Sequence, residues 1–266
     1  MKKLSIFAVA LAALAFTACG GNKSAKTEDE AAVKTFEQEQ VEAKIKMELD
    51  SLASEVGKLK NLPIVQAGED GVQLTAEEKQ VKPDYLLAPA VAEDATTLAE
   101  KYRILSALNV DKKIASLYEM PTEDYDKAIT KLAADIDDPS FKVIEDAGTL
   151  YETSTALYDA MNENGRINYF WQLASAALVE QLYVANQNSD KFLGVLNDEA
   201  ASNLTFRTVL ILDAVNRLKQ YDTEIAPVAA ALAPLDVLNA TSVDELKAQL
   251  AESKDKIEAA RKALVK

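Results

Sequence analysis

The stretch from Ile167 to Gln187 most constrains what this chain can become. It carries Tyr169, Phe170, Trp171, Leu173, Ala174, Ala176, Ala177, Leu178, Val179, Leu182, Tyr183, Val184 and Ala185, with Glu180 as its only charged residue. Apolar residues at steps of three and four mark one helical face, but here they cover more than one. Such a helix is stable only when neighbours cover it on several sides, and Ala174, Ala176 and Ala177 let one of them approach closely. The chain must therefore build a body of several helices around this one.

The rest of the sequence supplies the neighbours. Leu98, Tyr102, Leu105 and Leu108 mark a helix that Asn109-Val110-Asp111 is expected to kink or break before Ile114, Leu117 and Tyr118 resume the stripe. Tyr125, Ile129, Leu132 and Ile136 mark another, opened by Thr122 as N-cap and closed at Asp138-Pro139. A third runs from about Ser140 to Asn164, where Gly165 suits a left-handed cap. Leu204 to Tyr221 is strongly apolar, and Pro227 fits the first turn of a short helix within Thr223–Leu232. Ser242-Val-Asp-Glu245 reads as a capping box for one last helix, with Val243, Leu246, Leu250, Ser253, Ile257, Ala260 and Leu264 on a three-four repeat. Connections are short, so consecutive helices should be antiparallel neighbours. No segment alternates as a strand would. The expected fold is all-α, an irregular multi-helix bundle of roughly eight or more helices with a long N-terminal amphipathic helix.

That N-terminal helix is expected over residues 27–60. Thr27-Glu-Asp-Glu30 is a capping box, and Val33, Phe36, Val41, Ile45, Leu49, Leu52, Val56 and Leu59 form one stripe about 40 Å long. From Ile45 onward the steps are strictly four and three, a heptad seam. Packing on the protein's own bundle is the plainer reading; a stalk or a coil for a partner is the other. Gly57, Pro63, Gly68 and Gly71 separate this helix from a bundle domain over residues 61–266, where Thr75-Ala-Glu-Glu78 caps a short helix ended by Pro83.

Ahead of all this, Lys2 and Lys3 precede an uncharged apolar run, Leu4 to Ala18. This is the pattern of a secretory signal peptide, too short to span a bilayer as a mature helix. The segment ends in Phe16-Thr17-Ala18-Cys19, which resembles the lipobox of bacterial lipoproteins, with Phe16 where Leu is usual. The resemblance implies that residues 1–18 are removed and that Cys19 is lipidated. Residues 19–26, small and polar, then form a flexible tether to the lipid bilayer. Acyl anchoring contributes about 0.8 kcal/mol per buried CH2, so several chains hold the protein firmly. The alternative is an ordinary secreted protein cut before Cys19. Gly20 follows the cysteine and no acid occurs before Glu28. By resemblance to known sorting signals, this favours the periplasmic side of the outer membrane, with the cell surface as the other possibility.

Charge and composition narrow the chemistry. Residues 1–18 hold two lysines and no acid, so their loss takes the formal charge from −14 to −16. A chain this acidic, with its cations scattered, is a poor ligand for nucleic acid. One cysteine allows no disulfide within the chain. The sequence contains no histidine, which removes imidazole bases and the usual zinc and copper ligand sets. No cofactor, metal or catalytic residue is assigned, and a non-enzymatic role is expected. Asp135, Asp137 and Asp138, like Asp84, Glu93 and Asp94, do not match calcium-loop spacing.

Glu180 is the carboxylate that stands out, because an unpaired charge within an apolar helix is costly. Arg207 and Arg217, on the next major helix, are its candidate partners, either in a structural ion pair or around a ligand. Tyr118, Tyr125, Tyr151, Tyr158, Tyr169 and Tyr183 are core residues by their spacing, though aromatic side chains could also line a pocket.

Two stretches resemble a family of helical lipoproteins from Bacteroidetes. One comprises Leu86-Leu-Ala-Pro89, Ala107-Leu-Asn109 and Ala115-Ser-Leu-Tyr-Glu119; the other is Glu180-Gln-Leu-Tyr-Val-Ala-Asn-Gln187. In that family the second usually reads Trp-Ile-Glu-Gly-Leu-Tyr-Ile-Ala-Thr-Gln. Here Leu178 replaces the Trp, and Ala176-Ala177 stand where two glycines are common. The resemblance covers about Leu62 to Tyr221 and implies a fold and an address, not an activity. Asp50-Ser51-Leu52 is similar to the acceptor that Bacteroidetes use for O-glycosylation, which makes Ser51 a candidate site.

Two functions follow as expectations. One is a lipid-anchored scaffold or binding domain that meets an envelope protein partner through its terminal helices. The other is a small-molecule binder with a pocket near Trp171 and Glu180.

Overall fold

The computed structural model describes residues 36–58, 71–145 and 155–265. Among them lie twelve α-helices, two short 3-10 turns and no strand, so the fold is all-α. In order the helices are α1 (Phe36–Val56), α2 (Ala76–Gln80), α3 (Leu98–Leu117), α4 (Glu123–Ile136), α5 (Ser140–Glu145) and α6 (Thr155–Glu163). The second half holds α7 (Ile167–Gln187), α8 (Ser189–Phe192), α9 (Asp198–Leu218), α10 (Ile225–Leu232), α11 (Val243–Glu252) and α12 (Lys254–Leu264). The start of the N-terminal helix expected at Thr27, the signal segment, Cys19 and the tether lie outside the described residues.

Helix α7 is the axis of the body. It touches α3, α6, α9, α10, α11 and α12, and fifteen of its residues are buried, as its all-round apolar surface demands. Its most extensive partner is α3. The Arg103 guanidinium donates to Gln172 Oε1 at 2.7 Å, 69 residues apart, and Asp111 meets Glu180 at the same separation. Contacts that advance together along both helices show that α3 and α7 run parallel. Ser106 and Ser175, both buried, occupy the rung between these pairs. The consecutive helices α3 and α4 are antiparallel: Lys101 meets Asp135 and Lys112 meets Asp126 across them.

Local chemistry explains most element ends. Thr75 and Thr97 open α2 and α3 with complete capping boxes, Thr97 Oγ1 accepting from Glu100 N at 3.2 Å. Gly165 turns the chain after α6 at φ +68°, the left-handed conformation expected of it. Thr122 precedes α4, but its hydroxyl makes no capping bond. Ser242 accepts from Glu245 N, whereas Glu245 turns back to Thr241 rather than to Ser242, so that box is half formed.

Two expectations about continuity fail. Helix α3 passes unbroken through Asn109-Val110-Asp111, because Asp111 finds buried partners that outweigh its weak helix propensity. The last helix is instead two, α11 and α12, meeting at the buried Ser253. The stretch from Ser140 to Asn164 holds α5 and α6, with the residues between them outside the description.

The seam of α1 lies on the bundle: Leu49, Leu52 and Val56 are buried against α6 and α9, and the Tyr158 hydroxyl donates to Leu49 O at 2.7 Å. Nearer the start of α1 the same stripe carries Val41, which is exposed, and Met47 is exposed on the opposite side. Among the described residues no helix is long and apolar enough to cross a membrane.

Candidate functional site

Glu180 is 1 % exposed, and at that depth its charge requires a partner. The partner is Arg261 of α12, not Arg207 or Arg217. Arg261 Nε donates to Glu180 Oε2 at 2.8 Å and Nη2 donates to Oε1 at 2.7 Å, a two-pronged pair. The same Nη2 donates to Tyr85 O at 3.2 Å, and the guanidinium lies over the Tyr183 ring, 4.0 Å from its centroid. One cation thus ties α12 to α7 and to the segment ahead of the Pro89–Glu93 turn.

A second carboxyl completes the site. Asp111, fully buried on α3, accepts from Leu87 N at 2.7 Å through Oδ2, which lies 3.8 Å from Arg261 Nη2. Its Oδ1 is buried and has no hydrogen-bond partner. Leu87 O in turn accepts from the Tyr125 hydroxyl at 2.8 Å. The Tyr85 hydroxyl closes the cluster, buried and without a hydrogen-bond partner. Burial pushes the Asp111 carboxyl well above the usual carboxylate range, and the Glu180 charge beside it adds to the shift. Burial also raises Glu180, against the opposing pull of Arg261. Tyr125 is pushed up to about 12, chiefly by burial, then by the two acids. The cluster is therefore two carboxyls, one fixed cation and a ring of neutral tyrosines.

The other end of the α3–α7 seam is also polar. Arg103 Nε donates to Leu264 O at 2.9 Å, while Gln172 Nε2 donates to Glu224 O at 2.9 Å. Two arginines, one from α3 and one from α12, thus fix the C-terminal helix on the core.

The remaining expected residues lie apart. Arg217, near the end of α9, pairs with Glu48 at 3.1 Å and Asp213 at 2.6 Å. Arg207 is buried in α9. Trp171 and Glu180 stand nine residues apart on α7, on opposite faces and about 13 Å apart along the axis. Trp171 packs edge-on against Phe170 at 5.0 Å and Tyr158 at 6.0 Å, far from the ion pair in kind as well as place. Tyr169 stacks on Tyr102 at 4.7 Å, whose hydroxyl donates to the buried Asp138 at 2.5 Å. Tyr183 borders the acid pair with Tyr125 and Tyr85, and Tyr118 meets Tyr85. Tyr151 lies outside the described residues. Ser51 is exposed on α1, next to Asp50, which pairs with Lys46. Among the described residues no three acids are grouped to hold a metal ion.

Arg261 and Asp111 escaped the sequence reading, yet each left a signal. Arg261 falls on the stripe of Ile257 and Leu264, and Asp111 on that of Leu108 and Ile114, so each is a charge at a core position of its helix.

No family model, no curated protein and no solved structure matches the chain.

Proposed function

We propose that the chain is an exported envelope lipoprotein, anchored through Cys19 to the outer membrane on its periplasmic side, whose helical body is a non-enzymatic binding or scaffolding domain. The observation that carries this reading is the order Lys2-Lys3, the uncharged run Leu4–Ala18 and the lone Cys19, followed by a small polar tether. The resemblance to helical lipoproteins of Bacteroidetes supports the same address, and with it a sugar on the exposed Ser51. The interior supports a structural use of its charges. Arg261 bonds to Glu180, Arg103 bonds to Gln172, and Arg261, Asp111 and Arg103 also bond to backbone groups of distant segments, which fixes α12 and the Tyr85–Leu87 segment to α7 and α3.

Contacts with an envelope partner are assigned to α1, the terminal helix that exposes Met47 on its outer face and Val41 on the uncovered start of its stripe. The test is site-specific photo-crosslinking in cells, with the reactive residue at Met47 on α1 and, as control, at the exposed Lys131 on α4. One discrete envelope protein captured at Met47 and not at Lys131 is the expected result. The same faint background at both positions removes the binding role.

A further inference from the structure

We propose that Asp111 and Glu180 share a single proton in the folded core, so that the Asp111–Glu180–Arg261 group is a pH-sensitive latch holding α12 and the Tyr85–Leu87 segment in place. The geometry carries the argument through charge and hydrogen-bond accounting. Both carboxyls are almost fully buried, and Arg261 is the cation that meets them. Ionised together they would leave an uncompensated negative charge in the core, and two carboxylates in one site do not both ionise readily.

The hydrogen bonds say which oxygen bears the proton. Both Glu180 oxygens accept from Arg261, so Glu180 is the ionised member. Asp111 uses Oδ2 to accept from Leu87 N, while Oδ1 is buried with nothing donating to it. A buried carboxylate oxygen without a donor is costly, but a protonated one is itself a donor, and the neighbouring acceptor is Glu180. Protonation at Oδ1 thus satisfies the one atom that the ionised form leaves stranded.

Among the described residues, the groups facing the pair bring no second positive charge. Tyr183 comes from α7, Tyr125 from α4 and Tyr85 from the segment ahead of α3; burial raises all three, so they stay neutral. Glu258 of α12 adds negative charge, and Lys82 reaches the Tyr118 carbonyl at the rim.

The sign of the pH dependence follows. An aspartate in the unfolded chain titrates near 3.9, roughly, and the folded group titrates higher. Between those values the folded chain holds one more proton than the unfolded chain. Stability from this pair is fully present below the unfolded value and is lost as pH rises through the folded one. Within that window the folding constant falls about tenfold per pH unit.

Urea unfolding of the wild-type protein and of Asp111→Asn at pH 5, 6, 7 and 8 tests this. Asn keeps an acceptor for Leu87 N and an N–H donor toward Glu180, but has no proton to lose. The expected result is that the folding constant of Asp111→Asn rises relative to wild type with increasing pH, by about tenfold per pH unit until the folded Asp111 carboxyl ionises and levelling above that. Parallel pH profiles overturn the proposal. If the variant does not fold, infrared spectra of wild-type protein with 13C-labelled Asp and, separately, Glu decide it. A protonated carboxyl band at pH 7 sustains the shared proton, and wholly ionised bands in both samples overturn it.

Discussion

Replacing Arg261 by Met tests whether the buried ion pair holds the body together. Met retains much of the side-chain volume and its contact with Tyr183, and removes the charge. Glu180, 1 % exposed, then has no cation and must take up a proton to stay in the core. Protonating at pH 7 a carboxyl whose ordinary value is about 4.3 costs about 3.7 kcal/mol. Loss of the cation–π contact and of the bond to Tyr85 O adds about 1 kcal/mol each, and burial of the thioether returns about 1.5 kcal/mol. The net loss is about 4 kcal/mol, within the 3–5 kcal/mol typical of breaking a buried pair, roughly. Because most of it is a protonation cost, it shrinks by about 1.4 kcal/mol for each pH unit of acidification. Urea unfolding followed by far-UV circular dichroism should therefore show a loss near 4 kcal/mol at pH 7 and near 1.3 kcal/mol at pH 5, roughly, with an unchanged slope. A loss below about 1 kcal/mol that is equal at both pH values would mean instead that Glu180 is as well solvated as a surface acid and needs no cation.

Two further outcomes follow from backbone geometry. A Cβ at Gly194 would lie 2.3 Å from Asp190 O, a backbone atom that cannot swing aside, whereas one at Gly57 meets nothing nearer than 3.6 Å. Thermal unfolding should show Gly194→Ala losing about 2–3 kcal/mol and Gly57→Ala within about 0.5 kcal/mol of wild type; equal effects would contradict the packing after α8. Thr97→Ala should cost about 1 kcal/mol by removing the cap of α3. Glu100, its reciprocal partner, is pushed down to about 2 by the Thr96 hydroxyl and the Thr97 N–H. Its contribution is present above the unfolded glutamate value and is lost as pH falls through the folded one, so Glu100→Gln should destabilise at pH 6 and match wild type near pH 2, roughly.

The all-α class was legible because helix periodicity is written in the spacing of apolar side chains, and the central place of α7 because no single face of it is polar. Glu180 was legible for the same reason, as the lone charge in an apolar helix. Its partner was not, since Arg261 lies 81 residues on and nothing local joins them. Helix propensity misled at Asp111: an acid that would end an exposed helix continues a buried one when its oxygen has a donor and a neighbour. The break at Ser253 was hidden because the three-four repeat runs through it in register, from Leu250 to Ile257. The parallel course of α3 and α7 was not legible, since it shows only in contacts between residues 69 apart, Arg103 with Gln172 and Asp111 with Glu180.

The proposed lipid anchor at Cys19 decides where this helical body acts. The most direct measurement is the intact mass, with N-terminal fragmentation, of the native protein isolated from its envelope. A chain beginning at Cys19 and carrying a diacylglycerol thioether is the predicted result, with a sugar increment at Ser51 if that acceptor is used. A chain that begins elsewhere, or a Cys19 with a free thiol, would contradict it.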